Sequence, residues 1–299
     1  MIVRPKPNLI NILTSLKGSI FKKIVLRCLM VTLLASVIVL VETLQPNYFA
    51  KVNATPFTLL GLSLSIFMSF RNNACYDRWY EARKAWGDMM VAIRSMIRET
   101  QVIKDPVQRQ AILRNLCGFT HALNARLHAK DELQAAGDWL EPQPNDNAPN
   151  LSGRILDQVG QQCSALGESG AISEWRYSIM AGHLTSLTHA QAVCERIKHT
   201  PLPFAYTLLL HRTTYLFCIL LPFAMAESLG WLTPLFTAIV SYTFFGLDAI
   251  GDELEDPFGR DENDLPTQSM VRNIEREVLT ALGETQLPPV LEPVDFVLS

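Results

Sequence analysis

From Ser228 to Leu247 the chain runs for 20 residues without a charge, and most of these residues are apolar. Val52 to Phe70 adds 19 more, and Cys28 to Val41 another 14. As a helix, a run of about 20 apolar residues matches the roughly 30 Å hydrocarbon core of a bilayer. Several such runs in one chain of 299 residues exclude an ordinary soluble enzyme. Only 18% of the chain is charged, where a soluble domain carries about 25%. The net charge of −3 leaves no basic excess of the kind that binds nucleic acid.

Four hydrophobic spans are expected. The first covers about Ile24 to Val41, with Arg27 near one end, from where its long side chain can reach the interface. Its apolar part begins only at residue 24, and no small-x-small site follows it, so it reads as a retained helix rather than a cleaved leader. The second covers about Thr55 to Phe70, where Pro56 suits a helix start. The third, about Tyr206 to Ala226, is interrupted by His211 and Arg212. An arginine at that depth needs a partner, and Asp248 at the end of the fourth span is the expected one. The fourth is Ser228 to Leu247, joined to the third by a tight turn around Glu227.

Basic residues set the sidedness. Arg4, Lys6, Lys17, Lys22 and Lys23 precede the first span, whereas only Lys51 lies between the first two. The excess predicts an N-terminus in the cytoplasm, and four spans bring the C-terminus back to the same side. The expected organisation is a cytoplasmic N-terminal segment (1–23), spans one and two (24–70), a cytoplasmic helical domain (71–203), spans three and four (204–247), and an acidic segment with a C-terminal tail (248–299). Inside the cytoplasmic domain Ile112, Leu116, Phe119, Leu123 and Leu127 recur at helical spacing. So do Ile155, Val159, Cys163 and Leu166. A further helix is expected over about Ile172 to Lys198. Gly137 to Gly153 is polar and turn-rich and reads as a loop, and the proline-bearing stretch from Gly283 reads as extended. No apolar/polar alternation long enough for a sheet is present, so the fold class is all-α.

In the second span Leu62, Ile66 and Phe70 share one helical stripe, with small residues Gly61, Ser63, Ser65 and Ser69 between them. Small residues let helices approach closely in lipid, and the stripe can either pack a core or line a pore. FRNNACYDRWYEARKAWG (Phe70 to Gly87) follows with no proline. One helix is therefore expected from Phe57 to about Gln101, roughly 68 Å long at 1.5 Å per residue. Arg71 would mark the membrane surface, Trp79, Tyr80 and Trp86 would pack against other helices, and Asp77, Arg78 and Glu81 can form ion pairs along the helix.

That block, the later LPFAY (Leu202 to Tyr206) and the acidic DPFGRDENDL (Asp256 to Leu265) occur in one order around four spans. In this the chain resembles the bestrophin family, bacterial branch, over nearly its whole length. The resemblance implies a homopentameric ion channel of the bacterial inner membrane, a multi-pass all-α protein with four transmembrane helices per subunit. Small monovalent ions would pass through its central pore passively. The second helix of each subunit would supply a hydrophobic neck gate at Leu62, Ile66 and Phe70. A second constriction, at the exit of the cytoplasmic vestibule, would fall on Ile179 and Met180. Lipid, permeant ions and further copies of the chain are the implied partners. An apolar ring carries no charge to choose an ion's sign, so chloride and cation conduction both stay open; the acidic segment leans towards cations.

Eight acidic residues and one arginine lie between Asp248 and Asp264. Such clusters with a turn can supply the oxygens Ca²⁺ takes, although no EF-hand loop is present. In animal bestrophins the corresponding segment clasps Ca²⁺. Carried over, this marks the Asp261 and Asp264 side chains, the Asp256 carbonyl and Glu253, while Arg260 within the turn departs from the animal pattern. Otherwise no cofactor is required. Six cysteines, Cys28, Cys75, Cys117, Cys163, Cys194 and Cys218, form no C-x-x-C pair and read as buried free thiols. Nucleotide-binding, metalloprotease and serine-hydrolase motifs are all missing, so an enzyme has no support. The competing class is a membrane-anchored helical scaffold or sensor.

Overall fold

The computed structural model describes residues 1–4, 8, 11, 14–46, 48–49, 53–141 and 149–299. Lys6 and Lys51, and residues 142–148 of the polar loop, lie outside them. Among the described residues the helices are α1 (Phe21–Leu44), α2 (Thr55–Glu99), α3 (Pro106–Leu127), α4 (Glu132–Ala136), α5 (Leu151–Glu168), α6 (Glu174–His199), α7 (Phe204–Leu229), α8 (Thr233–Glu255) and α9 (Thr267–Ala281). No strand occurs among those residues; two isolated bridges, Ile2 with Val297 and Val294 with Val297, tie the first residues to the extended tail. The long helix expected from Phe57 is α2, 45 residues without interruption.

Two compact units divide the chain. One comprises Pro5–Trp79 and Pro201–Asp256, the other Met1–Arg4, Tyr80–Thr200 and Pro257–Ser299. The first holds α1, the start of α2, α7 and α8. Two stretches in it, Phe21–Leu44 and Phe204–Glu255, are helical, long and apolar enough to cross a membrane. Its core joins Ile24, Leu64, Met68, Leu210, Phe217, Phe244 and Phe245. Leu26, Leu29, Leu33, Val37 and Leu40 remain exposed along α1. A water-soluble helix turns such residues inward; this pattern suits a surface solvated by lipid. Arg27 lies over the ring of Tyr215 at 5.6 Å, so the first span's charge meets an aromatic face.

The turn between the last two spans falls at Gly230–Leu232 rather than around Glu227, because α7 continues through Leu229. Gly230 ends it with φ at 52°, a left-handed conformation that glycine adopts without a Cβ clash. Pro234 then sits in the first turn of α8, where its missing N–H costs nothing.

The second unit is built around α3. Ile112, Leu116, Phe119 and Leu123 are all at 0% exposure, and Ile155, Val159, Cys163 and Leu166 of α5 are buried as their spacing requires. Side-chain caps fix where the helices start: Asp105 on α3, Asp131 on α4, Asn150 on α5 and Ser173 on α6 each accept a backbone N–H. The expected loop from Gly137 begins with a 3-10 turn (Gly137–Trp139) and gives way to α5 already at Leu151. Trp86 is wholly buried, whereas Tyr80 is 56% exposed and packs less than expected. Glu81 pairs across to Arg196 of α6 at 2.5 Å instead of along its own helix. All six thiols are free and five are buried; burial pushes Cys163 up to about 11 and Cys194 up to about 12, which leaves them inert.

His121 of α3 stacks on Trp139 and has Glu275 of α9 4.0 Å from its Nε2. Burial, and then Arg272, push its imidazole down to about 4 from 6.5. Between those two values the unfolded chain takes up a proton that the folded chain refuses, so stability is lost as pH falls through that window. His121→Gln should flatten the pH dependence of urea unfolding there, removing a limiting slope of about 1.4 kcal/mol per pH unit. Identical slopes for the two proteins would clear His121 of this role.

Candidate pore face and buried arginine cluster

Leu64, Met68, Arg71 and Cys75 recur on α2 at spacings of four, three and four, and each is at most 2% exposed. They form the face by which α2 packs into its unit. Leu62, Ile66 and Phe70 each stand two residues from one of them, about 200° around the helix. They are 60%, 48% and 60% exposed. Leu59 and Phe67 extend the same uncovered apolar strip. The three residues thus share one face, and the subunit's own fold does not cover it.

Arg71 directly follows Phe70 and was expected at the membrane surface, yet its side chain is wholly buried. Its Nη1 donates to the Asp248 carboxylate and to the Asp248 carbonyl, both at 3.2 Å. Nη2 donates to Asp252 at 2.5 Å and lies 3.7 Å from Glu255. His211 meets the other Asp248 oxygen through Nδ1 at 2.6 Å. The expected Arg212–Asp248 pair is not formed: Asp248 is taken by Arg71 and His211, and Arg212 stays exposed. Helix phase explains this, because adjacent residues on α7 point about 100° apart and only His211 faces α8.

Further bonds close the same seam. Asn72 donates to the Leu247 carbonyl at 2.9 Å, and Arg78 to the Glu255 carbonyl at 3.2 Å. The Leu202 N–H meets the Glu255 carboxylate at 3.0 Å, and the Tyr206 hydroxyl donates to the Phe67 carbonyl at 3.0 Å. Gly251 makes room for this approach: a Cβ there would lie 2.6 Å from Asn72 Oδ1 and 2.8 Å from Arg71 Nη1. His211, Asp248 and Asp252 bring three potential metal-ligand atoms within 4.8 Å of one another. The guanidinium already bridges both carboxylates, so the cation in this set is the protein's own.

The residues marked for Ca²⁺ have partners within the protein. Glu253 pairs with Lys23 at 2.9 Å. Asp264 is 5% exposed and accepts the Asp261 N–H at 2.6 Å. Asp256 and Asp261 also have partners within the protein. At the second expected constriction Met180 is wholly buried inside the helical unit, and Ile179 alone keeps partial exposure.

Residues 1–280 match the model of the bacterial/fungal bestrophin proteins. The chain belongs to this family. A voltage-dependent anion channel-forming protein of Mesorhizobium japonicum is 41% identical over 298 residues, covering 99% of this chain and 96% of the relative. One of the same description from Escherichia coli K12 is 36% identical, with 98% of each chain covered. Solved structures of a bacterial bestrophin homolog from Klebsiella pneumoniae superpose with a TM-score of 0.83 at 35% identity, and 0.84 at 36% for a mutant form. Both cover 88% of this chain and all of theirs.

Within this bestrophin the stripe Leu62, Ile66 and Phe70 was legible from spacing, and the cluster around Arg71 was not. The one local signal was the arginine itself, set at the end of an apolar run; its partner Asp248 lies 177 residues away. Asp248→Asn removes the fully buried one of the guanidinium's counter-charges while Asp252 stays, and should cost about 1.5–3 kcal/mol. Arg71→Met combined with Asp248→Asn should recover most of the thermal stability in detergent. A double variant as unstable as Asp248→Asn alone would show that the pair is not the source.

Proposed function

We propose that the chain is one subunit of a pentameric anion channel of the bacterial inner membrane, in which the exposed apolar face of α2 lines the pore. The observation that carries this reading is the exposure of Leu62, Ile66 and Phe70 opposite a fully packed face. A subunit that leaves such a strip uncovered within a membrane unit needs either lipid or a ring of equivalent strips around an axis. The relatives' description as anion channel-forming proteins favours the ring. In this reading α1, residues 55–70 of α2, α7 and α8 cross the membrane, and both termini lie in the cytoplasm. Neither catalysis nor a cofactor is called for.

A ring of Leu, Ile and Phe side chains offers water and ions no hydrogen bonds, and a narrow apolar ring of this kind gates by dewetting. It does not select the sign of the ion. The acidic segment would favour cations only if its charge were free. Asp248, Asp252 and Glu255 face Arg71, and Glu253 faces Lys23. Part of that charge is compensated within the unit, and the relatives' description as anion channel-forming proteins makes anion conduction the better reading. Ile179 stays the candidate for the cytoplasmic constriction, and Met180 does not.

In planar bilayers with a KCl gradient, the purified protein should give a reversal potential of the chloride sign; the potassium sign would overturn anion selectivity. Leu62→Ala, Ile66→Ala and Phe70→Ala together should raise open probability by about tenfold, the effect of shifting the closed–open equilibrium by roughly 1.4 kcal/mol. Unchanged gating would take the neck away from these residues. Liposomes that show no flux at all would favour the membrane-anchored scaffold instead.

A further inference from the structure

Asp248, the partner expected for Arg212, is held by Arg71 and His211, and the fold gives Arg212 no other. On α7 the residues Leu209, Arg212, Leu216 and Ile219 are exposed. Their spacings of three, four and three make one helical stripe, apolar except for a single guanidinium. Among the described residues Arg212 has neither an ion pair nor a side-chain hydrogen bond.

A second guanidinium stands close by. Arg27 of α1 is half-buried and also lacks an ion pair among the described residues. It lies over the ring of Tyr215, which is three residues beyond Arg212 on α7 and so its neighbour on the helix surface. Tyr215 is itself fixed against Phe245 of α8, with ring centroids 5.1 Å apart. Arg27 and Arg212 thus share one surface at the seam of α1 and α7. No acid on these two helices can reach them. Glu42 and Glu227, the carboxylates of α1 and α7, each lie 15 residues further along their helix, about 22 Å away. At the near end of α8, Asp248, Asp252 and Glu255 face Arg71, and Glu253 faces Lys23.

Arg27 and Arg212 lie six and eight residues inside the starts of their helices, about 9 and 12 Å along the axis. A charge at such depth pairs or reaches polar surroundings, and the arginine stem is long enough to carry its head to the level of the lipid headgroups. Two like charges on one surface, with no acid between them, favour an anion that both can hold. The guanidinium fork matches phosphate oxygens in geometry as well as in charge. We propose that Arg27 and Arg212 bind the phosphate of an anionic phospholipid at the outer seam of α1 and α7. Its acyl chains would lie deeper, along the exposed Leu29 and Leu33 of α1 and Leu216 and Ile219 of α7. A zwitterionic headgroup brings its own cation and cannot balance the pair. The site rests on the reading that α1 and α7 cross the membrane; it uses neither the apolar face of α2 nor the ion conducted.

Titration of phosphatidylglycerol into the detergent-solubilised full-length protein, read by native mass spectrometry, tests this. The protein should bind phosphatidylglycerol in preference to phosphatidylcholine. Arg27→Gln and Arg212→Gln should each weaken that binding about fivefold, the attraction one basic residue exerts at an anionic membrane surface, and leave phosphatidylcholine unaffected. Arg212→Lys keeps the charge and should recover part of the loss. Equal binding of the two lipids by the unaltered protein overturns the proposal without any variant. So does undiminished phosphatidylglycerol binding when both arginines are glutamine. Inorganic phosphate should not displace the lipid; displacement would give the site to a free anion instead. If Arg212→Gln breaks up the oligomer in nanodiscs of phosphatidylcholine alone, the guanidinium pairs with a neighbouring copy, and the lipid site falls. Conduction is not read in this test, so its failure leaves the pore reading standing. A failure of the membrane reading would show separately, as a protein that stays in solution without detergent.

Discussion

A guanidinium taken out of water without counter-charges is among the least tolerated groups in a protein interior, and Arg71 meets this constraint with Asp248, Asp252 and Glu255. Two consequences follow for the membrane unit. The carboxylates all sit within the last two turns of α8, so the arginine fixes the height of α2 against α8 as well as its rotation. Gly251 then has to be a glycine, because the arginine and Asn72 occupy the volume of its side chain. With the rotation of α2 set by one buried face, the orientation of Leu62, Ile66 and Phe70 is no longer free. A polar anchor at Arg71 thus decides where an apolar stripe points.

Local periodicity explains what the sequence made legible. The helices α3 and α5 follow from spacings that repeat within a few turns, the length of α2 from a block without proline, and the stripe of Leu62, Ile66 and Phe70 again from spacing. Residues whose role depends on a distant partner escape such a reading. Arg71 looked like a surface marker because its carboxylates lie near the other end of the chain. Asp248 was matched to Arg212, where only the phase of α7 could show that the neighbouring His211 faces it. Met180 and Ile179 are adjacent, and sequence alone could not tell the sealed one from the partly open one. The turn at Gly230 was displaced for a simpler reason: Ser228 and Leu229 are as compatible with the end of one helix as with the start of the next.

The acidic segment shows how composition misleads when partners are ignored. Eight carboxylates against one arginine suggest a negative surface, fit to attract cations or to clasp a metal. Two partners come from elsewhere in the chain, Arg71 from α2 and Lys23 from the foot of α1, and Asp264 takes the Asp261 N–H of its own turn. Local excess of one sign is therefore a poor guide to the field an ion would meet, and the net charge of the assembled cluster is the relevant quantity.

Helices α2 and α8 use opposite solutions to the same environment. On α2 the packed face carries Arg71, and the uncovered face sets Leu62, Ile66 and Phe70 among the small side chains of Ser63, Ser65 and Ser69. On α8 the covered face mixes Thr233, Thr237, Ser241 and Asp248 with Phe244, Phe245 and Ala249, and the uncovered face is mostly apolar. A charge held on the packed side of α2 must be compensated from within the unit, and Asp248, Asp252 and Glu255 at the end of α8 do so.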